Sequence, residues 1–454
     1  MWWLVLGCAE QVGDTDAVVV VFSIDTLGQT MANQTGWCER VSAIMAEHGL
    51  DLACLSGAVT PSSWTGEAHT RMLWPENTTG SARKNQYPEC GQPSVMETIR
   101  DSTGGTYIFG ADNSVLSASG KESCELFRSV YTQGSDEMWE THMAATNLAL
   151  VAEEDRPVAQ AIEAFGRWLP QEERSVTLFL NTLEPGGHEP RCWQDPGTDA
   201  CVELWEIAVN AGLASAGDDP VDKWLESEFY EHLLHYASVK KATEEDRWRP
   251  LFWQTATETV EDFRAEKFDQ RLCELLDLLG EHDRLDDLRL VAFGDHGENP
   301  CMLRGLGDDT LNCGHNGITT EYTGFVPVYV SPASLAAGWQ EAGLSTDAGP
   351  WSTMNLAHGL VDSVSVPRPA AWPEPWPVGT APSWTCQSPG NSSASGIFVE
   401  GEVAMRCREG NCDASGFVLP ADHLYRPSEA SEVSASVAAY GEAPDWFSVA
   451  CGVD

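Results

Sequence analysis

Three features are scarce in this sequence of 454 residues, and each scarcity excludes a class of protein. No C-x-x-C pair occurs among its 14 cysteines, which argues against clustered zinc sites. Basic residues number 26 against 69 acidic ones, and this formal net charge of −43 disfavours a nucleic-acid partner. No internal apolar run reaches the ~20 residues that a membrane helix needs. The chain is therefore predicted to be globular and strongly acidic.

The acidity has two consequences. A negative surface is typical of a well-solvated protein suited to a saline habitat. If the substrate is itself an anion, bound cations are needed to offset its repulsion by the protein.

The cysteines predict disulfides, and hence an oxidising compartment, because isolated cysteines in an acidic chain do not resemble metal clusters. Spacing alone does not fix the connectivity. The close pairs are Cys192 with Cys201, Cys301 with Cys313, and Cys407 with Cys412.

The N-terminus, Met-Trp-Trp-Leu-Val-Leu-Gly-Cys-Ala, resembles the end of a bacterial lipoprotein signal with Cys8 as the lipid acceptor. Because the stretch is short and has no Arg or Lys ahead of it, a mis-assigned start codon or a plain buried strand stays open. We expect an exported cell-envelope protein, facing the periplasm or the outer surface and held to the membrane by a lipid anchor only. A freely secreted protein is the alternative.

Three buried strands are predicted, each followed by polar residues. Residues 17–24, 175–181 and 288–293 are nearly continuous apolar runs, typical of strands buried on both faces of a parallel sheet. Helical patterns lie between them, at 37–48, 158–168, 224–239 and 255–280. This alternation predicts a layered α/β/α fold with a mostly parallel central sheet. Such sheets place their sites at the carboxyl ends of the strands.

Composition divides the chain into four parts. The predicted units are a signal and tether at 1–16, a main domain at 17–365, a linker rich in Pro, Trp, Ser and Gly at 366–395, and a small C-terminal β-containing subdomain at 396–454. Hairpin-like alternation at 396–406 and 416–419 predicts the strands of the last unit.

Candidate catalytic residues follow the first and third predicted strands. Asp25 ends the first run, Thr65 lies in the segment Pro-Ser-Ser-Trp-Thr-Gly-Glu-Ala-His-Thr at 61–70, and Gly-Asp-His-Gly-Glu at 294–298 supplies Asp295 and His296. Singly, an Asp after a strand or a Ser-rich segment before a helix is often only a cap. Their ordered combination favours a site, because carboxylates and an imidazole are ligands for a divalent ion.

The order and spacing of these motifs resemble the sulfatase branch of the alkaline phosphatase superfamily over nearly the whole chain. The resemblance implies an alkaline-phosphatase-like catalytic domain at 17–365. It implies that Asp25, Thr65, Asp295 and His296 form one metal site, with Thr65 as the nucleophile at a helix N-terminus. His69 stands where sulfatases keep an arginine or histidine behind the nucleophile, and we expect it either to bind substrate or to cap a helix.

A second cluster follows the middle strand and precedes a fourth predicted strand at 325–330. Glu184, His188 and His315 match the second-zinc ligands of nucleotide pyrophosphatases and phosphodiesterases. In single-metal relatives the matching histidines contact the anionic oxygens of the substrate or protonate the leaving group. We therefore expect His188 and His315 to be catalytic and Glu184 to bind substrate, with a second metal as the open alternative.

The sequence departs from the formylglycine sulfatases at the nucleophile. Thr65-Gly-Glu-Ala-His69 stands where those enzymes have Cys or Ser followed by x-Pro-x-Arg, and threonine cannot give the aldehyde. Direct attack by Thr65 is the better hypothesis. Thr26 replaces the second aspartate of their calcium sites, which favours zinc or manganese, in one or two ions, over calcium.

The predicted function is hydrolysis of a phosphate monoester, diester or phosphonate, or of a sulfate ester, on a small, glycan or lipid anionic substrate. One alternative is a phospho-group transferase acting on envelope glycans or lipids. Another is a non-catalytic surface lipoprotein, because a fold alone does not establish an activity.

Overall fold

The computed structural model describes residues 16–63, 65–75, 93–111, 157–171, 175–182, 192, 196–197, 199–210, 212–224, 229, 267–298, 300–304, 311–313, 321–347, 349–386, 394–400, 403–408, 411–418 and 426–427.

Fifteen strands and eleven helices lie in these ranges. The strands are β1 Val18–Ile24, β2 Ala53–Leu55, β3 Ala58–Val59, β4 Thr106–Ala111, β5 Val176–Thr182, β6 Leu288–Gly294, β7 Pro300–Arg304, β8 Leu311–Cys313, β9 Val328–Ser331, β10 Trp351–Ser352, β11 Thr380–Cys386, β12 Ala394–Glu400, β13 Val403–Arg408, β14 Asn411–Val418 and β15 Arg426–Pro427. The helices are α1 Gln29–Gln34, α2 Trp37–Glu47, α3 Thr65–Leu73, α4 Val95–Thr103, α5 Pro157–Trp168, α6 Asp199–Asn210, α7 Pro220–Trp224, α8 at 267–281, α9 Glu321–Gly324, α10 Ala333–Glu341 and α11 Leu356–Ser363.

The central sheet is mostly parallel, as predicted, with six strands in the order β2-β9-β6-β1-β5-β4. β1 pairs in parallel with β5 on one side and β6 on the other, and β4 extends the parallel set beyond β5. β9 is antiparallel to both β6 and β2. All seven residues of β1, Val-Val-Val-Val-Phe-Ser-Ile, are buried, because a central strand has no face in contact with solvent.

Helices cover both faces of this sheet. Phe22 and Ser23 are consecutive in β1, so their side chains point to opposite faces. The ring of Phe22 packs on Phe268 of α8 with centroids 4.7 Å apart, whereas the Ser23 hydroxyl contacts His69 of α3. The three layers of the predicted α/β/α fold are thus α8, the sheet and α3.

The strand register brings two acidic residues to one edge of the sheet. Ile24 lies opposite Gly294 of β6, so the next residues, Asp25 and Asp295, leave neighbouring strands side by side. The Asp295 N–H donates to the Ile24 carbonyl at 3.1 Å. Position 294 requires glycine, because a Cβ there would lie 1.9 Å from the carbonyl oxygen of Leu27.

Where they can be compared, the predicted helices are confirmed. Those at 37–48 and 158–168 match α2 and α5, and the helix predicted at 255–280 is helical where described, from 267 onward. The helix predicted at 224–239 falls almost wholly outside the described residues, and α7 ends where it was predicted to begin. Within the described ranges no helix is both long and apolar enough to cross a membrane.

A second sheet lies near the C-terminus, with β11 to β15 antiparallel in chain order. The strand β11 corrects one boundary, because it lies inside the segment at 366–395 that the composition predicts as a linker. Pro382 within it is compatible with a strand because β11 is an edge strand in the described sheet, and proline in sheets occurs mainly on edge strands.

Two disulfides are described. The bond between Cys192 and Cys201 confirms one predicted pair, and a bond between Cys38 of α2 and Cys54 of β2 was not predicted. Cys407 and Cys412 are register partners on β13 and β14. That pair and the pair Cys301–Cys313 remain predictions.

Candidate active site

Two carboxylates and one imidazole converge at the carboxyl edge of β1 and β6. Ligand atoms of Asp25, Asp295 and His296 all lie within 4.8 Å of one another, and the three residues are buried. The Nε2 atom of His296 is 3.7 Å from Asp25 Oδ1 and 3.8 Å from Asp295 Oδ2. Residues 270 positions apart in the chain therefore meet at a single point, as the strand register dictates.

One carboxylate oxygen of Asp295 accepts two hydrogen bonds, and the other accepts none from the described residues. Oδ1 accepts the N–H groups of Thr26 at 2.9 Å and His296 at 2.8 Å. Oδ2 is buried without a hydrogen-bond partner among the described residues. Burying an unpaired carboxylate oxygen is costly, so this atom suits a cation ligand.

The electrostatics of the cluster also favour a cation. Burial raises the pKa of Asp295 to about 7, the Asp25 charge adds to this effect, and His296 opposes it. Burial alone would lower the pKa of His296, but the charges of Asp295 and Asp25 and the Gly297 carbonyl outweigh it and raise that pKa. Both groups therefore hold protons more readily than usual, and a bound cation would compete with those protons.

Thr65 is the first residue of α3 and faces the same point. Its hydroxyl donates to Asp25 Oδ2 at 3.3 Å, and its Oγ1 lies 3.2 Å from His296 Nε2. Only 6% of the residue is exposed. The structure thus places Thr65 where a loop becomes a helix, whose first N–H groups are a favourable place for an anion.

His69 lies one helical turn beyond Thr65, beneath the cluster. Its Nδ1 is 2.6 Å from the Thr65 carbonyl oxygen, and its Nε2 is 2.7 Å from Ser23 Oγ. The residue is 1% exposed. Both ring nitrogens therefore contact protein atoms, and the predicted contact of His69 with substrate stays a prediction.

Thr26, which directly follows Asp25, has a strained backbone. Its φ of 59° is in the left-handed region, which β-branched residues rarely adopt. This conformation directs the Thr26 N–H to Asp295 Oδ1, joining the end of β1 to the end of β6. Strain of this kind costs on the order of 1–3 kcal/mol and persists where the surroundings enforce it.

A buried ion pair holds the loop that precedes Thr65. Arg71 of α3 donates to the Pro61 carbonyl at 2.7 Å and lies 3.8 Å from Glu67 Oε2. The hydroxyl of Ser62 donates to the same Glu67 oxygen at 2.9 Å. Burial lowers the pKa of Arg71 to about 10, and the Glu67 charge opposes that shift. The pair therefore ties residues 61 and 62 to α3, the helix that begins at Thr65.

Glu67→Gln is expected to lower the free energy of unfolding by about 3 kcal/mol, because it removes the carboxylate that faces the buried guanidinium of Arg71. Adding Arg71→Met should recover part of that loss, since the buried guanidinium is then removed as well. Urea unfolding of the two singles and the double measures this. Glu163→Gln, which breaks the exposed pair with Arg167, is the control and should cost at most about 1 kcal/mol. Additive losses in the double variant would contradict the expectation.

Of the predicted site residues, the structure brings together Asp25, Thr65, Asp295 and His296, with His69 below them. Glu184, His188 and His315 lie outside the described residues, so their roles and the second metal stay predictions. Ser23 and Asn181 were not predicted. The signal that points to them is a polar side chain near the end of an otherwise apolar buried strand.

Comparison with known proteins finds similarity in fold but not in sequence family. No protein-family model and no curated protein matches the sequence. Among solved structures, the phosphonate monoester hydrolase of Agrobacterium radiobacter is 12% identical with a TM-score of 0.55, covering 93% of each chain. The phosphonate monoester hydrolase of Silicibacter pomeroyi is 13% identical with a TM-score of 0.53, covering 88% of each. A 2-O GAG sulfatase is 10% identical with a TM-score of 0.52, covering 92% of this chain and 88% of that one.

These similarities confirm the predicted architecture. The chain has a layered fold similar to that of these two phosphonate monoester hydrolases and this sulfatase. Identities of this size establish the fold only, and the chemistry has to be argued from the site itself.

Proposed function

We propose that this protein is a metal-dependent hydrolase of phosphate or sulfate esters with Thr65 as the nucleophile. The observation that carries the proposal is the meeting of the Thr65 hydroxyl, two carboxylates and one imidazole at the carboxyl edge of the sheet. Open α/β sheets place their sites at this edge.

The side chains fit a divalent cation. Asp25, Asp295, His296 and Thr65 would hold it, and Asp295 Oδ2, which accepts no hydrogen bond from the described residues, is a ready ligand. A set of two carboxylates, an imidazole and a hydroxyl suits zinc or manganese, with calcium as the alternative. When bound, such an ion lowers the pKa of the Thr65 hydroxyl and screens the charge of an anionic substrate.

Thr65 would carry out the first half of the reaction. A bond forms between its Oγ1 and the phosphorus or sulfur of the ester as the bond to the leaving alcohol breaks. The Thr65 proton passes along its hydrogen bond to Asp25 Oδ2 and from there to solvent, while the leaving alcohol takes up one proton from solvent, so the protons balance. Water then hydrolyses the ester on Thr65 and restores the hydroxyl.

A threonine nucleophile favours phosphoryl substrates. Sulfatases that depend on formylglycine require an aldehyde that Thr65 cannot provide. Two solved structures with this fold are described as phosphonate monoester hydrolases, which supports phosphate and phosphonate esters as the first substrates to try.

A substrate panel tests the proposal. Aryl phosphate monoesters, diesters, phosphonates and sulfates are each assayed with zinc, manganese and calcium, with and without glycerol as an acceptor. We expect metal-dependent release of the alcohol that is unaffected by glycerol. Glycerol-dependent product would favour the transferase, and the absence of both bound metal and turnover would favour a non-catalytic protein.

We also propose that the protein is exported. The disulfides Cys38–Cys54 and Cys192–Cys201 support this, because such bonds persist in oxidising compartments.

A further inference from the structure

Three buried polar side chains form a chain of hydrogen bonds beneath Thr65. His69 belongs to α3, Ser23 to β1 and Asn181 to β5, and none is more than 1% exposed. Ser23 and Asn181 are register partners on adjacent parallel strands, and their side chains lie on the face that α3 covers. The chain therefore links the nucleophile's helix to the two strands beneath it.

The Thr65 carbonyl fixes the direction of one bond in this chain. The Thr65 carbonyl oxygen can only accept, so His69 Nδ1 carries a proton and donates to it. Asn181 Nδ2 donates to Ser23 Oγ at 3.1 Å, and the Ser23 hydroxyl keeps its own proton, which it can donate to His69 Nε2. In a neutral imidazole the proton is therefore on Nδ1, and Nε2 accepts from Ser23.

Two aromatic rings flank the imidazole of His69. The ring centroids of Phe179 and Phe293 lie 5.7 Å and 6.2 Å from it. Its Nδ1 lies 3.8 Å from Asp295 Oδ2, the oxygen that suits a cation ligand.

We propose that His69 is a positioning residue, held by Ser23 and Asn181, which fixes the first turn of α3 so that the Thr65 hydroxyl points at Asp25 and His296. This inference rests on the proposed function. It assigns His69 no contact with substrate, so its loss should slow the chemical step without weakening substrate or metal binding. A displacement of about 1 Å at a reacting group can cost roughly 100-fold in rate.

Substitutions at position 69 distinguish this positioning role from a contribution to protein stability alone. Asparagine can place an amide N–H near the position of Nδ1, whereas alanine cannot. We expect His69→Ala to lower kcat by roughly 10- to 100-fold with KM and metal affinity within about twofold, and His69→Asn to recover much of that loss. Ser23→Ala should give a smaller loss of the same kind and decides the question if His69→Ala does not fold.

Two controls complete the experiment. Thr103→Val removes a buried hydroxyl bonded to the Ile99 carbonyl, away from this chain, and should lower stability while leaving kcat unchanged. In the metal-free protein, long-range proton–nitrogen NMR should show His69 as the neutral Nδ1–H tautomer, a readout that does not depend on activity.

The outcomes are distinguishable. If wild-type protein shows no turnover that depends on Thr65, the proposed function fails. If wild type is active but His69→Ala retains its kcat, the positioning role is wrong. The role is equally wrong if kcat, KM and metal affinity deteriorate together without rescue by asparagine, or if the NMR shows the Nε2–H tautomer.

Discussion

Replacement of Thr65 by alanine is expected to lower kcat by a factor on the order of 10⁴ or more while the protein stays folded and retains its metal. The substitution removes the hydroxyl that contacts Asp25 and His296. It leaves two carboxylates and one imidazole as ligands. Steady-state kinetics and metal content, measured on the same preparation, test both parts of this prediction.

Thr65→Ser is the matched control. Serine keeps the hydroxyl but lacks the methyl group that restricts χ1, so we expect activity within about tenfold of wild type. Turnover by Thr65→Ala equal to that of wild type would exclude Thr65 as the nucleophile.

The second large effect is expected at Asp295. Asp295→Asn keeps an acceptor for the N–H groups of Thr26 and His296 but removes the charge of the buried carboxylate. Loss of one charge a few ångströms from a divalent ion corresponds to at least about 4 kcal/mol at the effective dielectric of proteins, or roughly a 10³-fold loss of affinity. Competition with a chelator measures the affinity, and Glu163→Gln, an exposed substitution with the same charge change, should leave it unchanged.

The pH dependence gives a further check on the same residue. The pKa of Asp295 is raised from 3.8 to about 7, so the metal-free fold favours the protonated acid. Protonation of Asp295 therefore stabilises the metal-free fold. This contribution to the free energy of unfolding is complete below the pKa of Asp295 in the unfolded chain and is lost as the pH rises through about 7. Metal binding requires the carboxylate, so affinity should rise up to about pH 7 and level off above it. In Asp295→Asn the metal affinity should lack the part of this rise that comes from residue 295. An unchanged rise in this variant would contradict the assignment of the pKa near 7 to Asp295.

The architecture was predictable because buried strands have a clear signature. The runs at 17–24 and 288–293 became β1 and β6, and a parallel register then brings the residues after them together whatever their separation in the chain. The motif around Thr65 added the start of a helix at the same edge. The resemblance to sulfatases then implied that Asp25, Thr65 and Asp295 share one site.

Other features depend on register and packing that the sequence does not encode locally. The contact of His69 with Ser23 and Asn181 requires three elements to be aligned to within one residue, since a shift of one position would turn each strand side chain to the other face. The disulfide between Cys38 and Cys54 depends on how α2 packs beside β2.

The boundary missed at β11 has a similar cause. Its sequence, Thr-Ala-Pro-Ser-Trp-Thr-Cys, has the composition of a linker, and only its pairing with β12 makes it a strand. Edge strands tolerate proline, so composition alone does not separate such a strand from a connecting segment.

The most direct test is to trap the covalent intermediate. Protein loaded with zinc or manganese is mixed with an aryl phosphate ester, quenched with acid within the first turnover and digested for mass spectrometry. We predict a phosphoryl group on the peptide that contains Thr65, located on Thr65 itself and missing from Thr65→Ala. Turnover with no modification of Thr65, or with the group on another residue, would contradict the account.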